Sequence, residues 1–254
     1  SFALQVARYG TDAPLNAQPS ALRFGIGTAG VTPSSECEWV SISRFGDGTN
    51  WLVVSNPTST DATYMLRFTA DSGTPATDMS LLVPARSQRH LFTETMLAAG
   101  ESGAVKVCSP GGTAFLAESM HYYIDSGSGE VCSAYGTLSR RATCGYPVGS
   151  YNTFLGQSSL LRVESICPDM VDVYVRPYTS DGTQLADHPL WVMGDQGATY
   201  DLFWSAFGVG QDRFGKVEVA IHPQTPGGFL AEVVKLRPSS TCSPFDMADA
   251  VPVR

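Results

Sequence analysis

The sequence predicts an all-β fold of two tandem antiparallel β-sandwich domains, and three observations carry that prediction. Only 16% of the 254 residues are charged, while 25 are glycine and 16 are proline, which suits strands and turns better than helices. Apolar and polar residues alternate over short segments that turn residues separate. The same pattern recurs about one hundred residues later in the chain, which indicates two copies of one domain.

The repeat is clearest in two segments that contain the same four residues. VKVCSPGGTAFLAES at 105–119 and VEVAIHPQTPGGFLAEV at 217–233 each lead from a V-x-V strand through Pro-Gly-Gly into Phe-Leu-Ala-Glu. Upstream, 67–84 aligns with 176–193 without a gap. This organisation predicts four segments: an N-terminal arm or edge strand at 1–36, sandwich module one at 37–145, sandwich module two at 146–242 and a C-terminal tail at 243–254.

Module one contains eight short alternating segments with turn residues between them, as expected for an antiparallel sandwich. The first two flank the turn GDGTN at 46–50 and are predicted to form a hairpin. The segment ETMLAAGESG is expected to contain a helical turn. The predicted strands are 39–45, 51–57, 62–70, 79–84, 87–92, 104–109, 115–124 and 130–138.

Module two repeats this pattern with weaker turns, and the joint at 146–156 is expected to supply its first strand. The arm before module one has one alternation, at Phe2, Leu4 and Val6, and is an edge strand, a linker or a segment that reaches a neighbouring molecule. The tail is expected to be extended or loose. The remaining strands of module two are predicted at 160–166, 171–178, 189–193, 198–203, 216–221 and 229–236.

Six cysteines without a C-x-x-C spacing indicate disulfides in an oxidising compartment rather than a zinc or redox site. Buried free thiols in a cytosolic protein remain the alternative. Of the fifteen possible pairings, we favour the set that ties down the ends of each module. These predicted disulfides are Cys37–Cys144, Cys108–Cys132 and Cys167–Cys242.

An arginine and a glutamate recur at matching positions of the two modules. Arg67 and Glu118 in module one correspond to Arg176 and Glu232 in module two. Because charged residues inside strands usually need a partner, we predict a partly buried cross-strand ion pair in each module. The alternative is that all four side chains face solvent.

Aromatic residues are the candidates for contacts with a ligand or partner. Trp51 and Trp191 lie within apolar strands and are predicted to be core residues. Trp204 and Phe207, in the loop-like stretch WSAFG, are predicted to be exposed contact residues that could stack on a sugar.

Charge and motifs exclude several classes of function. The net charge of −8 disfavours binding to nucleic acids or anionic membranes, and the sequence lacks an apolar run long enough for membrane insertion. It has no G-x-S-x-G, H-E-x-x-H or phosphate-binding loop motif, so we predict no catalytic, cofactor-binding or metal-binding residues. Calcium binding at GDGTN stays open.

Three segments of module one carry a family resemblance: 51–74, 81–91 and 105–123. They resemble tandem immunoglobulin-like or fibronectin-like β-sandwich repeats of bacterial secreted and cell-surface proteins, with a strand ending in Asn-Pro, a V-P-A stretch and a closing strand with Ala-Glu. Module two departs from this pattern at 165–168 and 192–194. The resemblance implies an extracellular stalk, adhesin, coat or filament component, and it supplies no catalytic residues.

We therefore expect a non-enzymatic structural or adhesive protein, extracellular or on a cell surface, without a cofactor. Its expected partners are further copies of itself, in a filament or surface layer, or other cell-surface proteins. Two alternatives remain open. One is a pair of carbohydrate-binding modules, and the other is a secreted hydrolase whose carboxylates come from distant loops.

Overall fold

Antiparallel sheets confirm the predicted all-β sandwich class. The structure, a computed structural model, describes residues 5–11, 22–29, 32–73, 77–125, 127–142, 146–166, 168–202, 206–222, 228–239 and 245–253. At the N-terminus, β1 (Gln5–Thr11) and β2 (Leu22–Ala29) pair as an antiparallel hairpin. The predicted arm thus forms a hairpin of its own in the single chain.

Eight strands between residues 38 and 138 form what we call the first sandwich. They are β3 (Glu38–Ser43), β4 (Thr49–Asn56), β5 (Ala62–Ala70), β6 (Thr77–Val83), β7 (Ser87–Phe92), β8 (Ser102–Cys108), β9 (Leu116–Ile124) and β10 (Val131–Leu138). One sheet has the order β3-β8-β5-β6 and the other β10-β9-β4-β7. Alternate apolar residues of both sheets meet in one core, which includes Ile42, Leu52, Tyr64 and Val105.

A second set of eight strands forms the second sandwich. They are β11 (Val148–Asn152), β12 (Ser158–Ser165), β13 (Val171–Thr179), β14 (His188–Val192), β15 (Gly197–Asp201), β16 (Phe214–Ile221), β17 (Phe229–Pro238) and β18 (Phe245–Pro252). Its sheets have the orders β11-β16-β13-β14 and β15-β12-β17-β18. Its core includes Leu161, Val173, Val219 and Val233.

The two sandwiches share one topology, because the orders match strand for strand when β3 is set against β11 and β10 against β18. The repeat seen in the sequence is therefore a repeat of the fold. One difference from expectation follows. Strand β18 falls in the segment 243–254 that was predicted as a tail, yet it pairs along β17 as the eighth strand of the second sandwich.

The hairpin predicted for 39–45 and 51–57 is wrong. Strand β3 pairs with β8, whereas β4 pairs with β7 and β9 in the opposite sheet. The chain turns between the sheets through a short 3-10 turn at Phe45–Asp47, where Gly46 has a φ of 63°. Similar turns lie at Thr93–Thr95 and Phe154–Gly156. A turn signal indicates a reversal of direction but does not specify which sheet receives the next strand.

The disulfide pairings predicted for Cys37 and Cys108 are also wrong, since these two cysteines are bonded to each other. Strands β3 and β8 are neighbours with Glu38 opposite Val107, which places the two cysteines next along the same ladder. Cys132 is disulfide-bonded as well. The other three cysteines, Cys144, Cys167 and Cys242, lie outside the described residues, so the Cys167–Cys242 pairing stays a prediction.

Across the described ranges, no helix has the length and apolar character that crossing a bilayer requires.

Candidate functional site

The candidate site is the junction at which the second sandwich meets one end of the first. Leu161, Val163 and Val233 point into the second core, so the residues that alternate with them face outward. On that outer face, Val234 and Leu236 pack in one cluster with Tyr123 and Tyr135 of the first sandwich. Strand β18 lies alongside β10 at the same junction.

Arg162 occupies the centre of this junction. It lies on β12, on the outward face, and is only 3% exposed. Its Nη2 donates a hydrogen bond to the main-chain oxygen of Gly103 in the first sandwich. Its Nε lies 3.6 Å from Oδ2 of Asp71, also in the first sandwich. One guanidinium of the second sandwich is thus held by two groups of the first.

Two glutamates of the second sandwich complete the ion cluster around Arg162. Glu164, two residues along β12, contacts Nη2 of Arg162, and Glu232 is directly opposite Arg162 on β17, with Oε1 3.4 Å from its Nη1. Both glutamates are almost fully buried. Arg140, which follows β10, places its Nη2 4.0 Å from Oε2 of Glu232 and donates from the same nitrogen to the Ala231 carbonyl at 3.1 Å.

The electrostatics of the cluster follow from its burial. Burial raises the pKa of Glu164 well above its usual range, although Arg162 opposes that shift. Burial likewise raises the pKa of Asp71 against the same guanidinium. Two guanidinium groups and three carboxyl groups are neutral together when one carboxyl keeps its proton. Glu164 is well suited to keep it.

His121 lies beside the cluster and is held uncharged. Its ring stacks on Tyr135, with centroids 4.2 Å apart and planes 11° apart, and its Nε2 is 3.1 Å from the Ser119 hydroxyl. Burial, with the nearby charge of Arg162, lowers the pKa of His121 to about 3. Burial also raises the pKa values of Tyr123 and Tyr135. The junction therefore contains neutral polar rings around one buried set of opposite charges.

We call the ion cluster of Asp71, Arg140, Arg162, Glu164 and Glu232 the interlock, because its contacts join the two sandwiches. Arg162, Glu164 and Glu232 are almost fully buried, while the side chains of Asp71 and Arg140 keep 17% and 15% of their exposure. Contacts cross between the sandwiches at Asp71, Gly103 and Arg140. Buried ion pairs of this kind add little net stability but penalise every arrangement that separates the partners. The cluster consequently favours one relative orientation of the two sandwiches.

An open cleft of about 280 Å³ lies beside the interlock, between the two sandwiches. Trp39, Arg67 and Lys106 form its wall on the first sandwich, and Lys106 Nζ lies 5.1 Å from the centre of the Trp39 ring. Pro168 and Asp195 line the opposite side. The wall of the cleft on the first sandwich therefore combines an aromatic ring with two cations, one of which lies over that ring.

The predicted Arg67–Glu118 and Arg176–Glu232 pairs are wrong, because each arginine and its predicted partner lie in different sheets. Arg67 on β5 faces Asp78 of β6 at 3.7 Å, while Glu118 lies on β9. Arg176 on β13 contacts Glu218 of β16 at 3.0 Å and Asp187 at 2.9 Å. Glu232 is ion-paired as well, but with Arg162 and Arg140.

The burial of Phe207 and Trp191 is the reverse of what the sequence predicted. Phe207 is fully buried in the second core, so it is not an exposed contact residue. Trp204 lies outside the described residues. Trp191, predicted as core, is 61% exposed on the edge strand β14, and Trp51 is half-buried.

Sequence reasoning missed Arg162 and Glu164, although a signal for them exists. In LLRVES (160–165) two charged residues alternate with apolar ones, so both charges fall on one face of a strand whose other face is core. Two charged residues on the outward face of a strand that is otherwise apolar indicate that this face packs against another part of the protein. Val53 holds the position of Arg162 in the first sandwich, since each faces the glutamate of a Phe-Leu-Ala-Glu segment.

Within the part of the chain that the structure describes, no three His, Cys, Asp or Glu residues are grouped so that they could hold a metal ion. The side chain of Asp47, in the loop considered for calcium, lies outside that part.

No protein-family model and no curated protein matches the sequence. Among solved structures, the chain is similar to the PBSX exported protein XepA at 12% identity, covering 91% of this chain and 85% of that one, with a TM-score of 0.24. A protein of Parabacteroides distasonis described as secreted gives 9% identity, coverages of 89% and 86%, and a TM-score of 0.22. A glycosyl hydrolase family 2 member of Bacteroides cellulosilyticus gives 10% identity, coverages of 98% and 34%, and a TM-score of 0.21. At scores this low, these likenesses do not establish a shared fold.

Proposed function

We propose that the chain is a non-enzymatic structural or adhesive protein of the extracellular space that assembles with further copies of itself. The observation that carries this proposal is the interlock around Arg162. A buried ion cluster that holds two sandwiches in one orientation makes the pair a rigid spacer, and rigid spacing is what a stalk, coat or filament subunit requires.

The disulfide chemistry supports the proposed location. Cys37–Cys108 links neighbouring strands, and Cys132 is disulfide-bonded too. Disulfides of this kind persist in oxidising compartments and are rare in the cytosol. A protein that works outside the cell also benefits, since a cross-link keeps the first sandwich folded where no chaperone is present.

The test of this proposal is the assembly state of the intact, oxidised chain. We expect size-exclusion chromatography with light scattering to show mass rising with concentration, and negative-stain electron microscopy to show ordered assemblies. A monodisperse monomer at every concentration would contradict the self-assembly. X-ray scattering of dilute monomer checks the rigidity, and a profile that needs many relative orientations of the sandwiches would count against the spacer role.

A second candidate function is binding of an acidic glycan in the cleft, favoured by Trp39 next to Arg67 and Lys106. We expect sulfated or uronic-acid glycans on an array to bind the chain, and Trp39→Ala to abolish the signal. Trp191→Ala is the matched control, because Trp191 is an exposed tryptophan on β14 that is not among the residues lining the cleft. Equal loss of binding in both variants would exclude the cleft as the site.

A further inference from the structure

A row of charged side chains crosses the outer face of the sheet β3-β8-β5-β6 in the first sandwich. Lys106 on β8 is directly opposite Arg67 of β5 on one side and Trp39 of β3 on the other. Arg67 in turn is opposite Asp78 of the edge strand β6. Both residues that flank Lys106 along β8 belong to the core, so its side chain faces outward. Two cations are therefore cross-strand neighbours on the surface of this sheet.

The repeat gives the second sandwich an equivalent row in which one charge is reversed. Glu218 of β16 is directly opposite Arg176 of β13, at the position that Lys106 holds in the first sandwich. The same difference is visible in the sequence, because the V-x-V strand reads VKV in the first copy and VEV in the second. Glu218 and Asp187 contact Arg176 at 3.0 and 2.9 Å, so two carboxylates compensate this arginine.

The like-charge pair of the first sandwich is unfavourable for folding. Like charges directly opposite each other destabilise a sheet, whereas opposite charges stabilise it. Asp78 compensates Arg67 weakly, because both side chains are about half exposed and their charged atoms lie 3.7 Å apart. Lys106 places its Nζ 5.1 Å from the centre of the Trp39 ring. The first row thus carries an excess of positive charge, and the equivalent row of the second sandwich does not.

This excess charge lies on the wall of the open cleft between the two sandwiches. Arg67 and Lys106 line the cleft together with Trp39 and Thr69. The cleft has a volume of about 280 Å³, close to the lower end of the range for small-molecule sites, roughly 300–1,000 Å³. Because Lys106 lies over the Trp39 ring, it covers one face of that ring. The distinctive feature of this wall is therefore its charge.

The opposite wall of the cleft limits the charge that a ligand can carry. Asp195 lies on that wall, next to the apolar side chains of Ile166 and Pro168. The carboxylate of Asp195 repels a second negative charge, while the apolar side chains can contact an uncharged part of a ligand. The cleft therefore favours one acid group next to Arg67 and Lys106 over a ligand that is negatively charged at both ends.

From the like-charge pair and its place in the cleft, we propose that Arg67 and Lys106 together bind a single oxyanion, the sulfate or carboxylate group of a ligand. Both side chains donate hydrogen bonds to such a group, the guanidinium through parallel N–H groups and the ammonium as a point charge. The bound anion removes the repulsion between the two cations. The inference deepens the second candidate function, on which it rests for the molecule that carries the acid group, and it names that group as the recognised part of the glycan.

Calorimetric titration of the intact chain at low ionic strength tests whether the acid group is recognised. The probes are a singly sulfated disaccharide, the same disaccharide without its sulfate, and inorganic sulfate. We expect the sulfated disaccharide to bind about tenfold more tightly than the unsulfated one, because only its sulfate accepts charge-assisted hydrogen bonds. Added salt should weaken this binding, since it screens exposed charges. Equal affinities of the two disaccharides would overturn the inference and leave the glycan candidate standing.

Lys106→Glu separates binding from folding, because it changes the VKV of the first sandwich to the VEV of the second. The introduced carboxylate lies opposite Arg67, so the melting temperature should stay the same or rise. Affinity for the sulfated disaccharide should fall about tenfold or more, since a cation is replaced by an anion. Lys216→Glu is the matched control: Lys216 Nζ also lies over an aromatic ring, 4.7 Å from the centre of Tyr178, but it lines a groove of the second sandwich. Equal losses in the two variants would contradict the assigned site.

Asp195→Asn should change affinity in the opposite direction. Asp195 has a φ of 52°, a left-handed conformation that asparagine also adopts, so the fold should be unchanged. Without this repelling charge the sulfated disaccharide should bind about threefold more tightly, and an unchanged or weaker affinity would overturn the assignment.

The three probes also distinguish the two levels of the proposal. If only inorganic sulfate binds, and Lys106→Glu abolishes that binding, the anion site is supported and the glycan is not its carrier. If none of the probes binds, the glycan candidate and this inference both fail.

Discussion

Arg162 on β12 donates a hydrogen bond to the main-chain carbonyl of Gly103 on β8, so a buried guanidinium of one sandwich ends on the backbone of the other. A guanidinium that donates a hydrogen bond to a main-chain oxygen keeps that bond only when the strand bearing the oxygen holds one position and orientation. The contact ties β12 of the second sandwich directly to the backbone of the first.

Replacing Arg162 should therefore uncouple the sandwiches. Arg162→Ala leaves Glu232 and Asp71 buried without their main partner, and we expect a loss of about 3–5 kcal/mol in the free energy of unfolding. Urea denaturation followed by tryptophan fluorescence should change from one transition to two. Arg67→Ala is the control, because the exposed Arg67–Asp78 pair should contribute less than about 1 kcal/mol. Equal effects of the two variants would contradict the interlock.

His121 should make the junction sensitive to acid. Its pKa is lowered to about 3 in the folded state from an ordinary value near 6.5, so its contribution to stability is complete above pH 6.5 and is lost as pH falls towards 3. One proton gives a slope of up to about 1.4 kcal/mol per pH unit. We expect His121→Phe, which keeps a ring against Tyr135, to flatten stability between pH 6.5 and 4. An unchanged slope would mean that His121 does not control it.

Glu164 should have the opposite dependence. Because burial raises its folded pKa, its contribution is complete below the unfolded pKa near 4.5 and is lost as pH rises towards the folded value. Glu164→Gln, a neutral side chain of the same shape, should be as stable as the parent at pH 4 and more stable at pH 8. Thermal unfolding at both pH values measures the difference. A variant that is less stable at pH 8 would show that Glu164 is ionised in the folded protein.

The Cys37–Cys108 disulfide should stabilise the first sandwich. It closes a loop with a sequence separation of 71 residues, for which removal is expected to cost about 2–4 kcal/mol. The double variant Cys37→Ser with Cys108→Ser should unfold at lower urea concentration. If the two sandwiches unfold in separate transitions, only the transition of the first sandwich should move. A change that affects both sandwiches equally would indicate that the bond supports the junction instead.

Asn56, in the Asn-Pro segment at the end of β4, should contribute strongly to the stability of the first sandwich. It is 1% exposed, its amide donates to the carbonyls of Thr60 and Val83, and its carbonyl oxygen accepts from the Thr58 amide. Asn56→Ala would leave buried backbone groups unpaired, at a cost of about 1–3 kcal/mol. Asn152→Ala, at a half-buried position of β11, should cost less. A smaller loss of stability for Asn56→Ala than for Asn152→Ala would contradict this role of the Asn56 side chain.

Sequence reasoning located the strands well because the signals for a strand are local. Strands β5 and β7 begin and end where alternation and turns predicted them, at 62–70 and 87–92. Burial was harder to foresee. Trp191 lies in an apolar strand yet is exposed, since it alternates with the buried Leu190 and Val192 and therefore faces outward. Phe207 lies in a loop-like stretch yet is buried. Neither outcome follows from the apolar pattern of a short segment, because both depend on what packs against the residue in the folded chain.

The candidate site was predictable only in fragments. Glu232 was recognised as a charged residue that needs a partner, but its partners, Arg162 and Arg140, are 70 and more residues away in the chain. The same applies to Cys37, whose partner is set by the pairing of β3 with β8. A pattern of period two shows which face of a strand a residue occupies, but not which strand lies opposite.

By itself the sequence determined the all-β class, most strand positions and the repeat, because these depend on residue preferences and spacings within short segments. Only the tertiary structure decided which strands pair, which charges meet at Arg162 and which end of the first sandwich receives the second. Those relations join residues far apart in the chain, and they are selected by burial and shape across whole sheets. Local propensity carries no information about such contacts, so the junction became visible only in the folded molecule.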